Sequence, residues 1–286
     1  MADIAASVLS RLKNKAKESG RSYQLCLQLF CQEEFLRRLE NSKYSDNFVL
    51  KGGLFIYTLT EFESRATMDI DLLLQKLPNS PEELKPIIEE IITTNTGNDF
   101  IDFQLKSIHS IAITKKYAGI SASLVAKIKN TRTPIKIDFG VGDVIVPKKD
   151  KRAIPTQLDD FIKPVINTYS LETTVAEKID AILDLMEYSS RMKDYYDLYY
   201  LLTHFEFEDN ILADAIKITI LNRNHHFTIE QFVRVMSFGN DDAMRKKWNA
   251  FLRKTKLEPI DYDTVINTIA QHLSVVIDVV LKGLEK

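Results

Sequence analysis

Between residues 100 and 141 three strand-like runs follow one another with no room for a helix between them. They cover 100–113, 117–128 and 135–141, and the last alternates strictly, Ile135, Ile137 and Phe139 against Lys136, Asp138 and Gly140. A period of two marks a half-buried strand. Strands this close, with no intervening helices, imply antiparallel or mixed pairing. Two shorter runs precede them, Phe48-Val49-Leu50 and residues 69–74, DIDLLL. Beyond Ser170 the period becomes helical, with expected helices at 171–187, 193–204, 209–220, 228–236, 240–253 and 262–283. The expected class is α+β: a small mixed β-sheet core with N-terminal helices, then a C-terminal helical bundle. The charged segment 148–152, followed by Pro155 and Pro164, divides the chain into expected domains at 1–150 and 151–286.

Local signals support these elements. Ile4, Val8 and Leu12 share one helix face, Gly20 breaks that helix, and Ser22 is placed to cap a second one carrying Leu25, Leu29, Phe35, Leu36 and Leu39. Lys51-Gly52-Gly53 opens onto an expected helix at 54–60, and Pro81 fits the first position of a helix running to about residue 95. Thr228 with Gln231 three residues on has the form of a capping box. A hydrophobic fraction of 45% and a charged fraction of 27% over 286 residues are ordinary for a globular chain with a sizeable core. The formal net charge of -2 gives no global attraction to nucleic acid. Such a contact would need a local patch, and the clusters at 148–152 and 245–247 read more readily as solvated surface. Cys26 and Cys31 fit neither a metal knuckle nor a redox pair and read as buried free thiols. No signal-peptide core stands at the N-terminus and no run reaches the roughly 18 apolar residues of a membrane span. The expectation is a cytoplasmic protein without a membrane anchor.

Asp69 and Asp71 are the centre of the chemistry. Residues two apart in a strand face the same side, so two carboxylates stand together in an apolar strand. Their repulsion and partial desolvation are relieved by a divalent cation, and Mg²⁺ is commonly held by one or two carboxylates plus substrate phosphates. An Asp-x-Asp on a solvent-facing edge would look the same. Asp138, in its own alternating strand, makes a third acid if the two strands are neighbours. Three carboxylates can clamp two ions roughly 3.5–4 Å apart for an in-line displacement. Gly52 and Gly53 before a helix allow close approach of a phosphate to backbone N–H groups. Arg65 either contacts phosphate or braces a carboxylate, or else pairs at the surface with Glu61 or Glu63.

Taken in order, Lys51-Gly52-Gly53, Arg65-x-Thr67-x-Asp69-Ile70-Asp71-Leu72, Ile135-Lys136-Ile137-Asp138, the helical stretch 171–181 and Arg191-x-Lys193-Asp194-x-x-Asp197-Leu198 resemble the AbiEii/AbiGii toxin family. These are minimal nucleotidyltransferases of the DNA polymerase β-like superfamily. The matching stretches run from about residue 50 to 200. The resemblance implies a nucleotidyltransferase core in which Asp69, Asp71 and Asp138 bind Mg²⁺ or Mn²⁺ and catalyse. It implies that Lys51, Gly52, Gly53, Arg65, Thr67, Lys178, Lys193 and Asp194 contact the nucleotide. A nucleoside triphosphate would be the substrate, an RNA such as the tRNA 3′ end or a protein side chain the acceptor, and a cognate antitoxin the partner. Read from the residues alone, Lys178 is more readily an exposed lysine paired with Glu177. Asp194 is equally a favourable carboxylate near a helix start, and Tyr195, Tyr196, Tyr199 and Tyr200 are packing residues. A nucleotide- or partner-binding module without turnover is the alternative reading. Sugar-nucleotide transferases also use Asp-x-Asp, but they set an α/β domain ahead of it, and here only 68 mainly helical residues precede Asp69.

Overall fold

The computed structural model describes residues 3–111 and 119–284; the expected turn between the strand-like runs 100–113 and 117–128 lies outside the described residues. The chain forms two compact units, one of Met1–Gly142 with Asp150–Thr168, the other of Asp143–Lys149 with Tyr169–Lys286.

The first unit begins with α1 (Ile4–Ser19), capped by the Asp3 carboxylate, which accepts from the Ala6 amide, and stopped at Gly20 in the left-handed region. Ser22 caps α2 (Tyr23–Asn41) through the Leu25 amide. α2 is buried from Cys26 to Leu39, charged residues included. Buried charges are tolerated when paired and hydrogen-bonded, and these are. Glu34 takes Arg37 at 2.8 Å and Arg38 at 3.2 Å, and Asn98 at 2.6 Å. Arg38 also donates to the carbonyl of Ile101 at 2.7 Å. Both cysteines are buried and free, and burial pushes the Cys31 thiol up to about 12, which leaves it unreactive.

Glu33 is held less well. Its Oε1 accepts the Gln157 amide at 3.0 Å, while Arg37 stands at 3.6 Å. Burial pushes its carboxyl up from 4.5 to about 8, against the opposing pull of Arg37 and the Gln157 amide. Between those two values the folded chain keeps a proton that the unfolded chain has released, so stability falls as pH rises through that window. Glu33→Gln is expected to flatten this fall, which amounts to at most about 1.4 kcal/mol per pH unit. Calorimetric melts of both proteins across the window would check it. Parallel pH profiles would refute it.

One seven-stranded sheet has the order β3-β4-β5-β2-β1-β7-β6. Its strands are β1 (Phe48–Lys51), β2 (Asp69–Leu74), β3 (Ile101–Ile111), β4 (Gly119–Ile128), β5 (Thr131–Gly140), β6 (Asp150–Ala153) and β7 (Val165–Thr168). β3, β4 and β5 form an antiparallel meander, while β2 pairs antiparallel with β1 and parallel with β5. The sheet is mixed, as expected. α3 (Gly52–Leu59) and α4 (Pro81–Thr93) complete the unit, the latter capped by Ser80 with a proline in its first turn. Ile70, Leu72, Ile137 and Phe139 are buried, and α2 and α3 pack on this part of the sheet. β6 and β7 were not expected. Each has only four residues, β6 is mostly charged, and the prolines at 155 and 164 between them obscure any alternation.

The second unit carries α5 (Leu171–Leu185), α6 (Met192–His204), α7 (Asp209–Arg223), α8 (Ile229–Met236), α9 (Asp242–Thr255) and α10 (Tyr262–Leu284), within a residue or three of the helical pattern. The Thr228–Gln231 capping box is formed. By length and composition α10 is apolar enough to cross a membrane, which a search for unbroken apolar runs overlooks because His272 and other polar residues interrupt it. Its apolar residues form a buried stripe from Val265 and Ile266 through Ile269 and Leu273 to Ile277 and Leu281, packed on α6 and α7. That is the pattern of a core helix. Tyr195 is buried edge-to-face with Tyr262 at 5.5 Å, and Tyr196 packs on Trp248 and Phe251, so these rings serve the core.

Candidate active site

The parallel register of β2 and β5 sets Asp71 beside Asp138 and Asp69 beside Lys136. Partners in register point to one face, and residues two apart share it. Asp69, Asp71, Lys136 and Asp138 therefore stand together on the face opposite Ile70, Leu72 and Ile137. All three acids are only partly covered. Across β1, Lys51 lies directly opposite Asp71. From α2, Gln28 and Gln32 donate to the Met68 carbonyl at 2.6 and 2.8 Å and fix the residue that leads into the acids.

The entry to α3 closes on the same row. Gly52 has φ +69, and a Cβ there would stand 2.2 Å from Asp71 Oδ2. Only a residue without a side chain lets the backbone lie against that carboxylate. A Cβ on Gly53 would meet Thr67 Oγ1 at 3.0 Å and the Arg65 guanidinium at 3.3 Å. Arg65 is buried, so the surface pair with Glu61 or Glu63 is not its place. Lys51, Gly52, Gly53, Arg65, Thr67, Asp69, Asp71 and Asp138 are thus gathered around β1, β2, β5 and the start of α3.

Asp138 is already engaged. Ser121 on β4 donates to Oδ1 at 2.7 Å, and Lys136 donates to Oδ2 at 2.6 Å. The Lys136 side chain is 49% exposed. Its hydrogen bond to Asp138, helped by the charges of Asp69 and Asp71 and opposed by partial burial, holds its ammonium above the usual lysine range. Among the described residues no group of three or more His, Cys, Asp or Glu side chains is arranged to hold a metal ion. The pair on β2 remains chemically suited to one oxygen-seeking ion, since one or two carboxylates with substrate phosphates suffice for Mg²⁺.

Within the second unit, sequence motifs also come together. Lys178 on α5 is buried and meets Asp197 at 2.5 Å and Asp194 at 3.2 Å, both on α6. Arg191 reaches Asp194 at 2.7 Å. Lys178 is therefore not a surface partner of Glu177, which instead pairs with Arg223 at 2.8 Å. Burial opposes the charge on Arg223, but Glu177, Asp180 and Asp143 outweigh it and raise its pKa. Lys193 is exposed. Lys136, Ser121, Arg191 and Asp197 drew no role from the sequence. Lys136 could have been found, since it shares the strand face of Asp138 two residues on. Ser121 could not, because its contact depends on the β4–β5 register.

Residues 34–268 match the family model described as "Nucleotidyl transferase AbiEii toxin, Type IV TA system". The chain is a nucleotidyltransferase by class. It belongs to the AbiEii family. No curated protein sequence matches it. Among solved structures it is distantly similar to JHP933 from Helicobacter pylori, with 17% identity over 89% of this chain and 94% of that one and a TM-score of 0.47. An H. pylori protein presented as a candidate nucleotidyltransferase gives 18% identity, coverage of 90% and 96%, and a TM-score of 0.46. An antigenic nucleotidyltransferase-like protein from Paracoccidioides brasiliensis gives 11% identity, coverage of 86% and 94%, and a TM-score of 0.40.

Proposed function

We propose that the chain moves a nucleoside monophosphate from a nucleoside triphosphate to a hydroxyl acceptor, releasing pyrophosphate. The observation that carries this reading is the β2–β5 register, which rows Asp71 with Asp138 and turns Asp69 to the same face. Asp69 and Asp71 hold Mg²⁺ or Mn²⁺, which when bound offsets charge on the phosphates and orients the reacting oxygens. The backbone amides at Gly52 and Gly53 are offered to the triphosphate by the N-terminus of α3. Lys51, Arg65 and Thr67 border that turn and add charge and a hydroxyl donor. Asp138, its orientation fixed by Ser121 and Lys136, accepts the proton of the attacking hydroxyl. The acceptor is an RNA, such as a tRNA 3′ end, or a protein side chain, and a cognate antitoxin is the partner of the chain, as the family description suggests. The chain acts in the cytoplasm. Lys178, Lys193 and Asp194 complete the nucleotide contacts by family resemblance.

The test supplies each α-labelled triphosphate with Mg²⁺ and total RNA or lysate, using the wild-type protein and the Asp69→Asn/Asp71→Asn variant. Label is expected on one macromolecular class with the wild type and on none with the variant. Labelling that survives the double change refutes the assignment. A folded wild type that binds a triphosphate without transferring label supports the binding module instead.

A further inference from the structure

We propose that Lys136 is a built-in cation that takes the place of a second metal ion, so that the site holds one divalent ion rather than two. This rests on the nucleotidyltransferase reading of the same site. Three carboxylates on one sheet face call for compensating positive charge. The chain supplies some of it itself, two residues from the third acid and in register with the first. The ammonium lies 2.6 Å from Asp138 Oδ2, and Ser121 occupies the other oxygen at 2.7 Å. An ion shared between Asp71 and Asp138 would have to displace that lysine. Asp69 and Asp71 lie on β2 for one ion, while the ammonium on Asp138 stands where a second ion would have to bind that carboxylate. The side chain is half exposed, so replacing it leaves the sheet core untouched.

Mn²⁺ titration without nucleotide, read by calorimetry and by electron paramagnetic resonance, tests this on the wild type, Lys136→Arg and Lys136→Met. One Mn²⁺ per chain is expected for the wild type and for Lys136→Arg, which keeps the charge. Lys136→Met is expected to bind a second Mn²⁺, and to bind the first at least about tenfold more tightly, because a unit charge has been removed from its surroundings. Two ions on the wild type, or a Lys136→Met variant with unchanged stoichiometry, overturns the proposal while leaving the metal reading intact. A wild type that binds no Mn²⁺ while Lys136→Met binds one makes the lysine a block to metal and also overturns it. No binding by any of the three overturns the inference, while the label-transfer test still decides the metal reading, which also draws on substrate phosphates.

Discussion

Gly52→Ala is expected to reduce nucleotide transfer by at least about a hundredfold, the scale lost when a preorganised group is misplaced by about an ångström. Two effects combine at this position. The backbone sits at φ +69, where an L side chain costs roughly 1–2 kcal/mol. The added methyl would also stand 2.2 Å from Asp71 Oδ2, 2.7 Å from its Cγ and 2.9 Å from its Cβ. Turning the carboxylate away relieves the first two contacts. The third involves an atom fixed to the strand, so β2 or the start of α3 has to move. Gly20 supplies the control, since it has φ +68 with nothing near its missing Cβ. Gly20→Ala carries the same backbone strain and is expected to lose only about 1–2 kcal/mol, with transfer unaffected. Melting curves and label transfer on both variants separate strain from displacement. If Gly52→Ala behaved like Gly20→Ala in both measurements, the contact between this turn and the acid would have no functional weight.

The second large effect is in the helical unit. Lys178→Met is expected to cost about 3–5 kcal/mol, the range for removing one partner of a buried charge pair. The carboxylates of Asp194 and Asp197 are 2% and 1% exposed. Arg191 still reaches Asp194, while Asp197 loses its 2.5 Å contact with the ammonium. The double variant Lys178→Met/Asp197→Asn is therefore expected to recover much of the loss, whereas independent sites would add their costs. Chemical denaturation of the wild type, the two single variants and the double variant closes the cycle. An additive result would mean that the ion pair does not join α5 to α6.

Most of this architecture is readable from local pattern. The helical periods after Ser170 give six helices at nearly the right bounds, because each has an apolar stripe and most have a capping side chain or a left-handed stop. The three strands of the meander are legible as closely spaced strand-like runs, the last by strict alternation, but their pairing order is not. β6 and β7 are not, because four residues carry too few turns of a period-two pattern and their pairing is decided by the rest of the sheet. The site follows the same division. Asp69 and Asp71 fall on one face by simple parity, but their adjacency to Asp138 depends on a parallel pairing that no local rule supplies. The grip of Ser121 and Lys136 on Asp138 is a further step removed, since it needs both the β4–β5 and the β2–β5 registers. At Lys178 the neighbouring residue in sequence, Glu177, was a false partner. The true ones lie on the next helix, with the turn after α5 deciding which faces meet.

The parallel pairing of β2 with β5 has a consequence for biogenesis. A growing chain makes its first two acids early and its third only after the long β3–β4 hairpin. Closing so distant a pair is slow compared with forming local turns and helices. A ribosome-bound fragment ending before Thr131 would display the Asp-x-Asp strand yet lack the strand that sets Asp138 beside it. Under the proposed transfer, the order of synthesis itself delays the first turnover.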